Sequence, residues 1–245
     1  MPLFSYDLHL HSCLSPCADD ENNPVDLVML GALLGIQILA LTDHNSGKNL
    51  PAFFAAAKQV KEEQGIPLLA LGGMELTTAE EVHTLCLFEN CEAALAFDRL
   101  VEAKLPNIDH RPEIFGRQLL VDEKGEECGE YPKLLIPAAD ISLYEVRPLV
   151  EDLGGICFPA HIDRSSYSLL ANLGLFPTDC GFPCFEVADI AKAEELMRLG
   201  VVPSSLLPLS SSDAHRLEDL GSKQQKIELP ELSAPALFAK LKGIL

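Results

Sequence analysis

Phe4-Ser5-Tyr6-Asp7-Leu8-His9-Leu10-His11-Ser12 is the stretch on which the fold turns. Apolar and polar residues alternate through it, the mark of a strand whose side chains leave on opposite faces. His9 and His11 stand at i and i+2, so two imidazoles share one face and can reach one point. A polar loop follows, and Asn23-Pro24 then opens an apolar-periodic run with proline at a first helical position. Strand, loop and helix in that order form the unit of α/β folds.

The unit recurs along the chain. Strands are predicted at Phe4–Leu10, Ile36–Leu41, Leu68–Glu75, Val82–Phe88, Gly155–Ala160, Cys184–Val187 and Leu207–Ser211. Helices are predicted at Asn23–Leu34, Leu50–Glu63, Cys91–Lys104, Ser142–Leu153, Ala191–Met197 and Ala234–Leu241, with a capping box at Ser142 and Glu145. The alternation predicts an α/β fold with parallel strands and one domain spanning 1–245. Residues 106–138 break the rhythm. Gly116–Gly129 predicts a hairpin turning at Asp122–Gly125, an insertion near the mouth of the fold.

The 245 residues, 48% hydrophobic, suit one large core. No apolar run approaches the roughly 18 residues of a membrane span, and no basic leader opens the chain, so a soluble cytoplasmic protein without a membrane partner is expected. The net charge of −19 repels a polyanion, and no Trp with only four Tyr leaves little surface for stacking bases. Extended nucleic acid is therefore disfavoured and a small phosphorylated molecule is the expected partner; oligomeric state has no signal. The eight cysteines include no C-x-x-C pair, so reduced thiols are expected, with Cys86 and Cys157 in the core.

Six of the seven histidines fall at or just past a predicted strand end, each beside another polar residue. The patches are Asp7-Leu-His9-Leu-His11, Asp43-His44, Glu75 with His83, His161-Ile-Asp163, and Asp213-Ala-His215. Strand ends converge on one rim in such folds, so residues distant in sequence meet there. Imidazole and carboxylate donors suit Zn, Mn or Fe, and six His with Glu75 and Asp213 exceed the needs of one ion. Two or three divalent ions are expected, with Glu75 as the natural bridge, and a multi-ion centre suits hydrolysis. Arg164 and Arg216 each follow a histidine patch and offer a fork that fits phosphate. Asp43 or Asp163 would orient a histidine or protonate a leaving group.

Asp7-Leu-His-Leu-His-Ser12, Leu41-Thr-Asp-His-Asn45, Gly73-Met-Glu75, His83, His161 and Asp213-Ala-His215 resemble, in order and spacing, the polymerase and histidinol phosphatase (PHP) superfamily. The resemblance spans most of the chain and implies a distorted (β/α)7 barrel with a trinuclear metal cluster at the C-terminal ends of the strands. By that resemblance His9, His11, Glu75 and Asp213 would serve one ion. Glu75, His83 and His161 would serve a second, and His44 and His215 a third. Many members supply one more ligand, an Asp or His, five or six residues beyond the second histidine of the first motif. Here Pro16 and Cys17 hold those positions and Asp19 and Asp20 follow, so Cys17 or Asp19 substitutes or the third ion binds weakly.

The pattern looks most like the small stand-alone phosphoesterases that include nucleoside 3′,5′-bisphosphate phosphatases. The expected chemistry is in-line attack on phosphorus by a hydroxide bridging two ions, with Glu75, Asp43 and Asp213 as the carboxylates of the catalytic site. Hydrolysis at carbon, as in amidohydrolases, and a non-catalytic metal-binding regulator are the alternatives.

Overall fold

The computed structural model of the chain describes residues 1–223 and 225–245. β1 (Leu3–Leu10), α1 (Pro24–Leu33), β2 (Ile38–Leu41), α2 (Leu50–Glu63) and β3 (Leu69–Thr77) open it as two strand–helix units and a third strand. β4 (His83–Phe88), α3 (Cys91–Glu102), the short α4 (Pro112–Phe115) and the hairpin β5 (Leu119–Val121) and β6 (Glu127–Glu130) follow. α5 (Leu143–Asp152), β7 (Ile156–Pro159), α6 (Leu169–Leu173), β8 (Cys184–Glu186), α7 (Ile190–Arg198), β9 (Leu207–Leu209), β10 (Gln225–Glu228) and α8 (Ala234–Leu241) complete it.

The helices start where the sequence signals them. Asn23 caps α1 through its side chain, with Pro24 behind it, and Ser142 and Glu145 form the capping box of α5. No helix among the described residues is long and apolar enough to cross a membrane. The cysteines are free, and Cys86 and Cys157 are buried in the core.

A curled sheet runs in the order β10-β1-β2-β3-β4-β7, and β8 and β9 pair in parallel beside it. The Ile162 amide donates to the Glu186 carbonyl at 2.9 Å and joins the end of β7 to β8. Beyond β9, the Ala214 carbonyl accepts from the His11 amide at 3.0 Å, and Ser211 Oγ from the Leu8 amide at 3.3 Å. β1, β2, β3, β4, β7, β8 and β9 thus follow one another round a distorted barrel of the expected class.

The expectation of parallel strands needs one correction. β4 pairs antiparallel with both β3 and β7, because β3 and β4 are joined by a short turn with no crossover helix. His83 therefore opens its strand, on the rim where its neighbours end. The edge strand β10, antiparallel to β1, was not predicted. Only Ile227 of its four residues is buried, so it carries no apolar row to detect.

Two apolar layers sandwich the sheet. One holds Leu39, Leu41, Met74, Leu76 and Phe88 against the surrounding helices. The other holds Ile38, Leu71, Leu85, Leu87, Phe158 and Cys184 with Leu237 and Leu241 of α8. In three strands a polar residue continues the second row toward the rim: Glu75 above Leu71, His83 beside Leu85, and Glu186 beyond Cys184. β1 joins them by a different route. Tyr6 and Leu8 belong to the second layer, but Leu10 belongs to the first. The β1–β2 register slips between Asp7 and Leu10, so one extra residue is accommodated there. A bulge of this kind reverses facing for every residue beyond it. It turns His9 and His11 onto the face that carries Glu75 and His83.

The hairpin predicted at Gly116–Gly129 is present and turns at Asp122–Gly125, where the Gly125 amide donates to the Asp122 carbonyl at 2.9 Å. It docks on the loop after β1. The Leu119 amide donates to the Cys13 carbonyl at 2.8 Å, and Asn49 bonds both Leu119 and Val121. Gly116 packs so closely on Pro16 that a Cβ there would collide with the Pro16 carbonyl.

Candidate metal centre

Glu75 sits at the middle of the rim, buried, with histidines on every side. Its Oε1 lies 2.8 Å from His83 Nδ1, 2.9 Å from His161 Nε2 and 3.3 Å from His9 Nε2. Its Oε2 lies 3.0 Å from His44 Nδ1 and 3.3 Å from His11 Nε2. Asp213 Oδ1 completes the deep side, 3.3 Å from His9 Nε2 and 3.2 Å from His11 Nε2. His9 Nε2 and His11 Nε2 are themselves 3.1 Å apart.

These spacings fit a cation. Ligand atoms 2.0–2.1 Å from a tetrahedral ion stand about 3.3 Å from one another. Two buried ring nitrogens 3.1 Å apart and two carboxylates edge-on to them form such a cage. Three donor groups have all their atoms within 4.8 Å of one another: His9, His11 and Asp213; His44, Glu75 and His83; and His11, His44 and His215. His44 Nδ1, His161 Nδ1 and both Asp213 oxygens are buried with no aligned hydrogen-bond partner among the described residues. Sealing so many ionisable groups from water is costly unless a cation compensates them.

The electrostatics of the bare cluster agree. Burial pushes Glu75 up, but His83, His9 and His44 beside it hold its carboxyl well below the usual range. Burial likewise opposes the ionised form of Asp213, yet His9 and His11 hold it far down. His11 is pulled down by burial and lifted further by Asp213 and Glu75, to about 9; His44, lifted chiefly by Glu75, also reaches about 9. Burial dominates at His83 and His215, which fall to about 4.

The backbone is strained where the cluster is assembled. Among the described residues, non-glycine positive φ occurs at His161 (27°) and Asp213 (55°) of the cluster, at Asn45 (47°) next to His44, at Tyr167 (51°) stacked on His83, and at Glu81 (57°) in the β3–β4 turn.

Other expected residues take different places. Cys17 is exposed and its charge acts on His44, whereas Asp19 turns to Arg216, 3.5 Å away. Arg164 is ion-paired to Asp213 Oδ2 at the mouth, its side chain 42% exposed. Arg216 lies between Asp19 and Glu218 and touches none of the clustered donors. Both Asp43 oxygens are engaged in hydrogen bonds. The carboxylate accepts from the Ser12 amide (2.6 Å), Ser12 Oγ (2.6 Å) and Ser15 Oγ (2.7 Å), and Ser15 Oγ in turn meets His11 Nδ1 at 3.0 Å. One serine thus links it to a histidine of the cluster. Asp163 accepts from the Ala188 amide at 2.6 Å and faces Lys192, which removes it from the centre.

Glu186 went unnoticed in the sequence. It is buried, meets His9 Nδ1 at 3.0 Å and accepts from the His161 amide at 3.1 Å. A charged residue inside the apolar run Cys184-Phe-Glu-Val187 was the available signal.

Residues 7–134, just over half of the chain, match the PHP domain family. No curated protein matches the chain in sequence. Among solved structures, the lesion-specific endonuclease Q of Pyrococcus furiosus superposes with a TM-score of 0.66 at 17% identity, over 100% of this chain and 57% of that one. Endonuclease Q with a 27-mer duplex, an abasic lesion at its active site, gives 0.62 at 16% identity with the same coverage. A Bifidobacterium adolescentis protein assigned as a metal-dependent phosphoesterase gives 0.59 at 19% identity, over 97% of this chain and 96% of that one. This chain thus spans little more than half the length of endonuclease Q.

The expectation of a small phosphorylated partner, with extended nucleic acid disfavoured, is corrected by these relatives. An enzyme of this fold takes duplex DNA at its active site. The charge of −19 is a sum over the chain, and charges beyond about 8 Å are screened at physiological salt. A divalent ion held by the cluster would dominate the field that a phosphate at the mouth meets. The shortage of aromatics bears on stacking single strands, whereas a duplex is gripped by its phosphates.

Proposed function

The chain belongs to the PHP domain family, and from that premise we propose that it is a metal-dependent phosphoesterase acting on phosphodiester bonds of nucleic acid. The observation that carries the reading is Glu75, whose two oxygens face five histidines at 2.8–3.3 Å in a sealed pocket. His9, His11, Glu75 and Asp213 would hold one divalent ion; Glu75, His83 and His161 would hold a second. His44 and His215, with Cys17 rather than Asp19, would hold a third. Imidazole, carboxylate and thiolate donors suit Zn, Mn or Fe. Bound there, such ions lower the pKa of a water toward neutrality and screen the charge on phosphoryl and leaving oxygens.

The protein's own groups do the rest. Glu186 and the Asp43–Ser15 pair fix the rings of His9 and His11 so that their Nε2 atoms face inward. Arg164 stands at the mouth on Asp213, where its fork receives a non-bridging phosphoryl oxygen. Arg216 neutralises Asp19 at the edge of the approach.

The test is hydrolysis of end-labelled oligonucleotides, single-stranded and duplex, with and without an abasic site, by protein loaded with Mn, Zn or Fe. Cleavage by the wild type that disappears in Glu75→Gln and His83→Ala, both folded by circular dichroism, is the expected result. A fully loaded protein that leaves every oligonucleotide intact overturns the reading.

A further inference from the structure

Arg164 is not alone on its loop. His161 to Ser168 forms a locked turn: the Arg164 amide donates to the His161 carbonyl at 3.0 Å, and Ser168 Oγ donates to the Arg164 carbonyl at 2.7 Å. The His83 amide donates to the Tyr167 carbonyl at 3.0 Å and ties the turn to β4. Asn172, on the helix that Ser168 caps, reaches the carbonyls of Glu80 and Glu81 and holds the turn from its other side. The turn presents Arg164 on Asp213 and Tyr167 on His83, one on each flank of the centre.

The Tyr167 ring lies parallel to that of His83, centroids 4.9 Å apart and planes 22° apart, yet the residue is 46% exposed. Its φ of +51° is a costly conformation for a bulky side chain. Ordinary packing would bury the ring in relaxed backbone. Here strain holds an aromatic plate at the lip, backed on one side by a histidine of the cluster and open to solvent.

Resting on the nucleic-acid reading above, we propose that Tyr167 is a stacking shelf for the base of the nucleotide whose phosphate enters the centre. Arg164 grips the phosphate while Tyr167 receives the flat ring attached through the sugar. The site then recognises one unstacked base without reading its identity, since every base offers a π-face. It demands that the base leave its stack, which a lesion or a free end makes easy.

The test is a cycle of two proteins and two substrates. Wild type and Tyr167→Leu are given oligonucleotides that differ only in whether the nucleotide at the scissile phosphate carries its base or a tetrahydrofuran. Stacking is worth about 1–3 kcal/mol per base, so Tyr167→Leu should raise KM for the base-bearing strand roughly 5- to 150-fold and leave the base-free strand unchanged. Tyr167→Phe should behave as wild type. A 2-aminopurine at that position should be quenched by wild type and Tyr167→Phe but not by Tyr167→Leu. An equal loss on both substrates marks the ring as mere packing on His83 and overturns the shelf while the phosphodiesterase reading stands. A wild type that binds and cleaves neither strand removes that reading, and the shelf with it.

Discussion

His9, His11, Asp213 and Glu75 are sealed from solvent with donor atoms 3.1–3.3 Å apart, whereas the side bounded by His44 and His215 opens outward, the His215 ring 27% exposed. The deep side is braced from behind. Glu186 holds His9, and Asp43 holds His11 through Ser15. The shallow side leans on a loop whose conformation depends on contacts from the β5–β6 hairpin. A braced cage loses nothing in ordering its donors on binding, while a loop must be fixed each time. The two sides should differ in how tightly they keep an ion and in what disturbs them.

Glu75 faces both sides, its oxygens reaching His9 and His11 on one and His44 on the other, so its removal blurs the difference. Glu75→Ala should lower hydrolysis at least about a thousandfold, because several kcal/mol of charge stabilisation depend on ions it bridges. Elemental analysis should find both sides depleted; full metal content in that variant would break the idea of a shared bridge. Glu186→Gln acts on His9 of the deep side and on the backbone of His161. It keeps the shape but loses the charge behind His9, and metal affinity should fall about 10- to 100-fold. Competition with a chelator measures this, and an unchanged constant would reduce Glu186 to a structural residue.

Acidity should act on both sides with a definite sign. In the bare centre His11 and His44 titrate at about 9, lifted by their carboxylate neighbours against burial, so both hold protons at neutral pH. An ion must displace them. His83 and His215, depressed by burial to about 4, are already neutral there and release nothing. His9, opposed by burial but lifted well above the ordinary imidazole range by Asp213, Glu186 and Glu75, holds a further proton. Metal affinity should therefore climb as pH rises above 7, by about tenfold per unit for each proton displaced. Calorimetry in buffers of different ionisation enthalpy counts the protons; uptake without release would contradict the assignment.

Much of this was legible in the chain. The strand ends announced themselves through polar pairs closing apolar runs, and Asn23-Pro24 and Ser142 with Glu145 marked helices through local hydrogen bonding that needs no tertiary context. The i, i+2 spacing of His9 and His11 gave a common face but not which face. That depends on a one-residue slip between Asp7 and Leu10, a property of pairing with β2. The antiparallel run of β4 was hidden for a similar reason: alternation is the same in both directions, and only the short link from β3 hinted at it. Nothing local marks the role of Glu186, because its partners, His9 and His161, lie 177 and 25 residues away. Overall charge misled most, since it averages over a surface that a phosphate at the mouth never samples.

The smallest expected effect separates the sides most cleanly. Cys17 is an exposed thiol whose charge acts on His44, on the shallow side. Every other donor there is nitrogen or oxygen, so a thiolate in the coordination shell has its own optical signature. Protein loaded with Co(II) should show a sulfur-to-metal charge-transfer band in the near ultraviolet, absent in Cys17→Ser. That variant should lose one ion's worth of metal while the deep cage stays filled, because no bond to Cys17 supports His9, His11 or Asp213. Activity should fall only a few-fold, less than the 10- to 100-fold metal-affinity change expected for loss of a buried brace. A band that survives the substitution would place the third ion elsewhere. Loss of all metal would instead show that the two sides are one cooperative centre, and that the contrast between braced cage and hinged loop is only one of depth.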